Sequence, residues 1–202
     1  RLRDAGIDPY PHSYRRTHTS RQAIALFESE EQAAGAEHRT QPVSVAGRIV
    51  ARRGMGGVMF TDLLDGEGRI QAIFRQDGLA DKYDSLDELD IGDWLGVEGP
   101  VFRTRRGEVT VEVQSWTLVS KSLRPLPEKW HGLTDVEARY RQRYLDLIVN
   151  PEAREIAITR SRVVSALRRF MDSRGFVEVE TPVLVPVPAG AMAKPFVTHH
   201  NS

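Results

Sequence analysis

The sequence predicts a small closed β-barrel followed by a helical stretch that opens an α+β domain. Three observations carry this reading. Apolar residues alternate with period two between Pro42 and Val119, a linker bearing Pro125 and Pro127 follows, and beyond it the apolar spacing becomes helical. The 202 residues carry 28 Lys+Arg against 28 Asp+Glu and no cysteine. Zero net charge gives no global attraction to nucleic acid or membrane, so any such binding rests on local patches. Without cysteine there is no disulfide scaffold, thiolate metal site or Cys nucleophile, which fits a reducing compartment. No apolar run approaches the roughly 18–20 residues that span a bilayer. The chain begins without methionine and is expected to be a piece of something longer.

The elements follow in order. Residues 1–41 form an irregular arm rich in Pro, Tyr, Arg and His, then a surface helix capped by Thr19 or Ser20 and stopped by Gly35. Residues 42–122 hold five strands: Val43 to about Arg52, Val58–Leu64, Arg69–Phe74, Trp94–Phe102 and Val109–Val119. Turns at Gly54–Gly57, Asp65–Gly68 and Arg106–Gly107 separate them, and Leu79, Tyr83, Leu86 and Leu89 are spaced for a short helix after the third. Three strands, a helix and two strands is the order of an oligonucleotide-binding (OB) barrel, a five-stranded Greek key. An SH3-like barrel also has five strands, but the helix favours the OB order. Residues 123–133 are the linker.

Residues 134–202 begin a second, α+β domain. Thr134 and Glu137 form a capping box for a helix through Ile148, and Asn150-Pro151 restarts a helix that stops at Gly175. Phe176–Glu180 reads as a strand ended by Thr181-Pro182, and the last twenty residues as a loop or the start of an unfinished strand. The domain looks cut off.

An OB barrel lays single-stranded bases on one face, with aromatic rings for stacking and cations along the phosphates. Arg48, Arg52, Arg53 and Arg103, Arg105, Arg106 suit the cations, Phe60 the ring and Gln71 the base-reading amide. The same residues also read as a core phenylalanine and a solvated rim. The acidic run Asp81, Asp84, Asp87, Glu88, Asp90 and Asp93 reads as the far, solvated side. Nine arginines between residues 139 and 174 either meet phosphates or pair with Glu137, Glu152, Glu155 and Asp172 along helices. His199-His200 lacks a third ligand at suitable spacing, so no metal site is expected. Spacing alone builds no catalytic centre.

Leu123-Arg-Pro-Leu-Pro-Glu-Lys-Trp-His-Gly-Leu133 with Glu137-Ala-Arg-Tyr-Arg-Gln-Arg-Tyr-Leu-Asp-Leu147 resembles the junction of bacterial-type class II lysyl-tRNA synthetases. Arg174-Gly-Phe-Val-Glu-Val-Glu-Thr-Pro-Val-Leu184 resembles motif 1 of that class, and Pro195–Asn201 the segment after it. The resemblance implies an anticodon-binding OB domain joined to the start of a class II catalytic domain. It implies that Phe60 stacks on the central uridine of the lysine anticodon, that Gln71 reads it, and that Arg53 and Glu108 make further anticodon contacts. Gly190 aligns with a glycine that meets lysine, although Ala189 and Lys194 depart from the common glycine and arginine beside it. Gly175, Phe176 and Pro182 belong to motif 1, a dimer element, so a homodimer is implied. Implied partners are lysine tRNA and lysine; implied cofactors of the whole enzyme are ATP and Mg2+; the implied location is the cytoplasm. Motifs 2 and 3 are absent, so no catalytic residue is assigned and the chain alone is expected not to aminoacylate. Two other readings remain: a non-catalytic OB protein that binds tRNA or other single strands, and the synthetase-like half of a membrane lysyl-transfer protein.

Overall fold

A computed structural model describes residues 2–4, 6–35, 38–79, 81–127, 132–183, 194 and 198–199. The chain divides into two units, Arg1–His131 and Gly132–Ser202.

In the first unit Thr19 caps helix α1 (Ser20–Ala34): its hydroxyl accepts from the Gln22 N–H, and the Gln22 side chain accepts from the Thr19 N–H. Such a reciprocal pair satisfies two of the donors that a helix N-terminus leaves open. The helix is more than a surface element, because Ala23 and Phe27 are fully buried in the barrel core.

The sheet contains β1 (Val43–Met55), β2 (Val58–Leu64), β3 (Arg69–Arg75), β4 (Trp94–Gly99), β5 (Val101–Arg103), β6 (Val109–Glu112) and β7 (Ser115–Ser120), in the order β5-β6-β3-β2-β1-β4-β7. β1 runs past Arg52 to Met55 and is joined to β2 by Gly56 and Gly57, both at positive φ, the backbone a two-residue hairpin needs. A register shift between Ile49 and Ala51 bends β1, so its first half pairs with β4 and its second with β2.

The fourth and fifth expected strands are each split, giving seven segments in place of five. Pro100, which has no N–H to donate, separates β4 from β5. At the second break the chain changes partner: the Val113 N–H donates to the Ile73 carbonyl on β3 at 2.9 Å, and the Gln114 N–H donates to Glu98 on β4 at 2.8 Å. That switch closes the barrel, with β3 and β6 parallel and the other pairs antiparallel. The OB order stands.

The helix expected over 79–89 is broken into α2 (Gln76–Leu79), α3 (Asp81–Asp84) and a 3-10 turn at Ser85–Glu88. Closely spaced aspartates, whose carboxylates compete for backbone donors, disfavour one continuous helix. Leu79, Leu86 and Leu89 are nonetheless buried as their spacing implied, beside Val45, Ile49, Leu63, Phe74, Leu95, Val97 and Leu118. Each fully buried side chain of this size contributes about 1.5–3 kcal/mol. The acidic run is not wholly solvated: Asp93 is fully buried, its carboxylate accepting from Lys121 Nζ at 2.8 Å and the Ser122 N–H at 2.7 Å.

In the second unit α4 (Val136–Arg141) is capped by Asp135, whose carboxylate accepts from the Ala138 N–H at 2.7 Å, instead of by the Thr134–Glu137 box. Gln142 breaks the expected single helix, and α5 (Arg143–Val149) follows. Buried Asp146 gathers this turn: it accepts from Arg139 Nε at 2.8 Å and Asn150 Nδ2 at 2.6 Å, and also pairs with Arg143. Burial opposes the charge, but these donors hold the Asp146 carboxyl below its usual range. Asn150 precedes α6 (Pro151–Asp172) at the cap position, with its side chain committed to Asp146 and the Leu133 carbonyl rather than to the helix. Gly175, at φ 82°, turns the chain after α6.

Residues 176–180 form no strand, which corrects the expectation. Among the described residues this unit holds no β-strand to pair with them, and a lone strand leaves its backbone groups without ladder partners.

Candidate nucleic-acid interface

Strand pairing decides which side chains share a face, since directly opposed residues point the same way. Arg53 opposes Phe60 across β1–β2, Phe60 opposes Ile73 across β2–β3, and Asp62 opposes Gln71. Gln71 in turn opposes Thr110 in the parallel β3–β6 pair. The intervening residues Met59, Thr61, Leu63, Ile70, Ala72 and Phe74 are buried on the other side. Phe60 is half-buried and lies outside the hydrophobic core cluster. The alternation of β2 therefore turns its ring away from the barrel interior.

A cavity of about 320 Å³ opens on this face, lined by Ile24, Arg53, Asp62, Arg69, Gln71, Gly107, Glu108 and Val109. Three of the four residues expected to meet an anticodon, Arg53, Gln71 and Glu108, thus share one cavity. Phe60 is not in its lining and stands one ladder position away, opposite Arg53. Arg53 Nη2 lies 3.1 Å from Asp62 Oδ1, and Arg69 Nη1 lies 3.6 Å from Asp62 Oδ2. The Asp62 side chain is 7% exposed, the two arginines 59% and 60%. The Thr110 hydroxyl is buried and lies 3.0 Å from Gln71 Oε1 and 3.2 Å from the Glu108 carbonyl. The Glu108 N–H donates to Thr104 Oγ1 at 3.1 Å, and Glu108 is exposed at the end of the β5–β6 hairpin.

Two guanidiniums, two carboxylates and an amide in one cavity form a mixed set of donors and acceptors. Such a set recognises the edge of a base, whereas a purely cationic cleft would follow phosphates.

The wider arginine clusters divide. Arg48 lies over the Trp94 ring at 5.2 Å and donates to the Gly92 carbonyl at 2.8 Å; burial lowers its pKa. Arg52 donates to the carbonyls of Leu89 and Leu86 at 2.8 and 2.9 Å. Arg103 makes a two-point pair with Glu31 on α1, and the hydrogen bond from Arg103 holds the Glu31 carboxyl below its usual range. These three arginines brace the barrel, and only Arg105 and Arg106 of the second cluster remain exposed at the hairpin. On the helices Arg141 pairs with Glu137 at i,i+4, while Arg139 and Arg143 serve Asp146.

Sequence reasoning missed Asp62, Arg69 and Thr110. The available signal was Asp62 two residues after Phe60, a carboxylate on the same side of a strand whose other positions are largely apolar. Gly175 and Phe176 are exposed beyond α6, Pro182 is exposed, and Gly190 lies outside the described residues.

The first unit is an OB-fold domain, and the second has the helices of the beginning of a class II synthetase catalytic domain. Residues 43–119 match the OB-fold nucleic acid binding domain family, and residues 135–202 match the tRNA synthetases class II (D, K and N). Over its whole length it is 52% identical to lysine–tRNA ligases of Pelotomaculum thermopropionicum and Carboxydothermus hydrogenoformans, and 47% identical to that of Bacillus subtilis. The chain spans 38–40% of the length of these relatives.

Proposed function

We propose that the chain binds the anticodon of lysine tRNA through the β1–β2–β3 face, and that as part of a longer protein it serves ATP-dependent attachment of lysine to that tRNA. The carrying observation is the single cavity that holds Arg53, Gln71 and Glu108 beside an outward Phe60. A splayed anticodon base stacks on Phe60, at a value of roughly 1–3 kcal/mol per base. Uridine offers carbonyl acceptors to the Gln71 amide and an imino N–H to the Glu108 carboxylate. Cytidine reverses both, turning an amino group and a ring lone pair toward the same partners.

The described residues hold no group of three His, Cys, Asp or Glu arranged for a metal ion. ATP and Mg2+ belong to the proposed parent activity. Lysine contact at Gly190 and a cytoplasmic location are part of the same proposal, on the family resemblance of the sequence. No helix among the described residues is long and apolar enough to cross a membrane. Ile156, Val163, Leu167 and Phe170 on α6 and the following Phe176 are exposed apolar residues, which supports a two-fold contact with a second copy through motif 1.

The test is binding of the chain to a lysine anticodon stem-loop against one whose central uridine is cytidine, at physiological salt. Preference for uridine is expected. Equal binding, or none, removes the anticodon reading.

A further inference from the structure

We propose that Asp62 is the positioning residue of this face, and that Arg69, held by it, is an RNA contact alongside Arg53. The inference rests on the anticodon reading and adds a division of labour within it. Asp62 is nearly buried, and each of its carboxylate oxygens faces a different guanidinium, Arg53 at 3.1 Å and Arg69 at 3.6 Å. Both arginines line the cavity with Gln71, the residue directly opposite Asp62 in the β2–β3 ladder. A guanidinium has five N–H donors in a fixed plane, so a partner that occupies some of them orients the rest. The carboxylate also cancels one of the two positive charges. It thereby reduces the sequence-independent attraction to phosphates while it fixes the donors that face a base. Asp62 therefore trades general RNA affinity for selectivity, and Arg69 supplies a cation whose loss is felt by every RNA alike.

The experiment measures binding of the full chain to three RNAs across a salt series: the uridine-centred lysine stem-loop, its cytidine-centred counterpart, and an unstructured oligoadenylate. For Asp62→Asn, binding of the cytidine loop and oligoadenylate rises, the uridine-to-cytidine ratio falls about tenfold, and the salt slope steepens by about 0.7 for one uncancelled charge. Arg69→Ala weakens all three RNAs by a similar factor and flattens the slope by about 0.7. Asp62→Glu keeps the charge but displaces the carboxylate, so the ratio falls with the slope unchanged; this arm decides the matter if the asparagine variant does not fold. A merely structural aspartate would lower all three affinities together, and that result, or an unchanged ratio in both Asp62 variants, overturns the proposal. Gln71→Ala separates the two levels. If it abolishes the uridine preference while the Asp62 variants keep it, the inference alone falls. If it leaves the preference intact, or the unaltered chain shows none, the anticodon reading falls and takes the inference with it.

Discussion

Gln71 and Thr110 stand opposite each other in the parallel β3–β6 pair of the barrel, with the buried Thr110 hydroxyl 3.0 Å from Gln71 Oε1. A side chain proposed to read a base is thus anchored from below by a residue that solvent does not reach. Thr110→Val keeps the shape and removes the anchor. Uridine-loop binding is expected to weaken by about 0.5–1.5 kcal/mol, the worth of one neutral hydrogen bond. Titration against the stem-loop checks this, and unchanged affinity would mean Gln71 needs no anchor.

Phe60→Ala separates stacking from packing. The ring lies outside the core cluster, so affinity for the lysine stem-loop should fall by roughly 1–3 kcal/mol. The loss of stability should be well below the about 3–5 kcal/mol expected for Phe74→Ala in the buried core. Paired thermal melts and binding titrations distinguish the two; a large stability loss with intact binding would return Phe60 to the core.

Gly99 has a steric reason to be glycine. A Cβ there would lie 1.8 Å from the Glu112 carbonyl oxygen, where the split strands cross. Backbone cannot rotate aside as a side chain does, so Gly99→Ala should destabilise the first unit at or above the upper end of the about 1–3 kcal/mol typical of overpacking. Chemical denaturation measures it, and a neutral outcome would mean that the closure is looser than described.

Asp65 joins the β2–β3 turn to the start of α1. Its carboxylate accepts from the Ser20 N–H and hydroxyl at 2.7 Å each, and from the N–H groups of Glu67 and Gly68 at 2.8 and 2.9 Å. Burial works against the charge, yet these donors outweigh it and hold the carboxyl below its usual range. A depressed carboxylate contributes stability that is complete above its unfolded-state pKa and is lost as pH falls through the folded value. Asp65→Ala should cost about 1–3 kcal/mol near neutrality and flatten the acid limb of the stability curve. Parallel acid limbs in the variant and the unaltered chain would refute the assignment.

The barrel was legible where local chemistry decides: Gly56-Gly57 and Asp65–Gly68 mark their turns, and Leu79, Leu86 and Leu89 carry their burial in their spacing. The split at Val113 was not, because it arises from a change of partner between β3 and β4 that no local pattern records, whereas Pro100 marks its own split by its missing N–H. Residues 176–180 alternate like a strand, but alternation supplies no neighbour. In the site, Gln71 was suggested as a base-reading amide by its strand position, whereas Glu108 entered only through family resemblance. Arg48, Arg52 and Arg103 were misjudged because charge alone does not reveal which cations already serve carbonyls or a carboxylate within the barrel.

The β2–β3 connection has a consequence for how this sequence can drift. Surface turns ordinarily tolerate added residues, but Leu64 and Arg69 close this ladder and Asp65 bonds both limbs of the turn and the neighbouring helix. One inserted residue that slipped the pairing would exchange the two sides of a strand. Phe60 and Asp62 would turn inward and Met59, Thr61 and Leu63 outward. At this hairpin, length is the heritable constraint, and identity at the tip, at Gly66 for instance, is free to change.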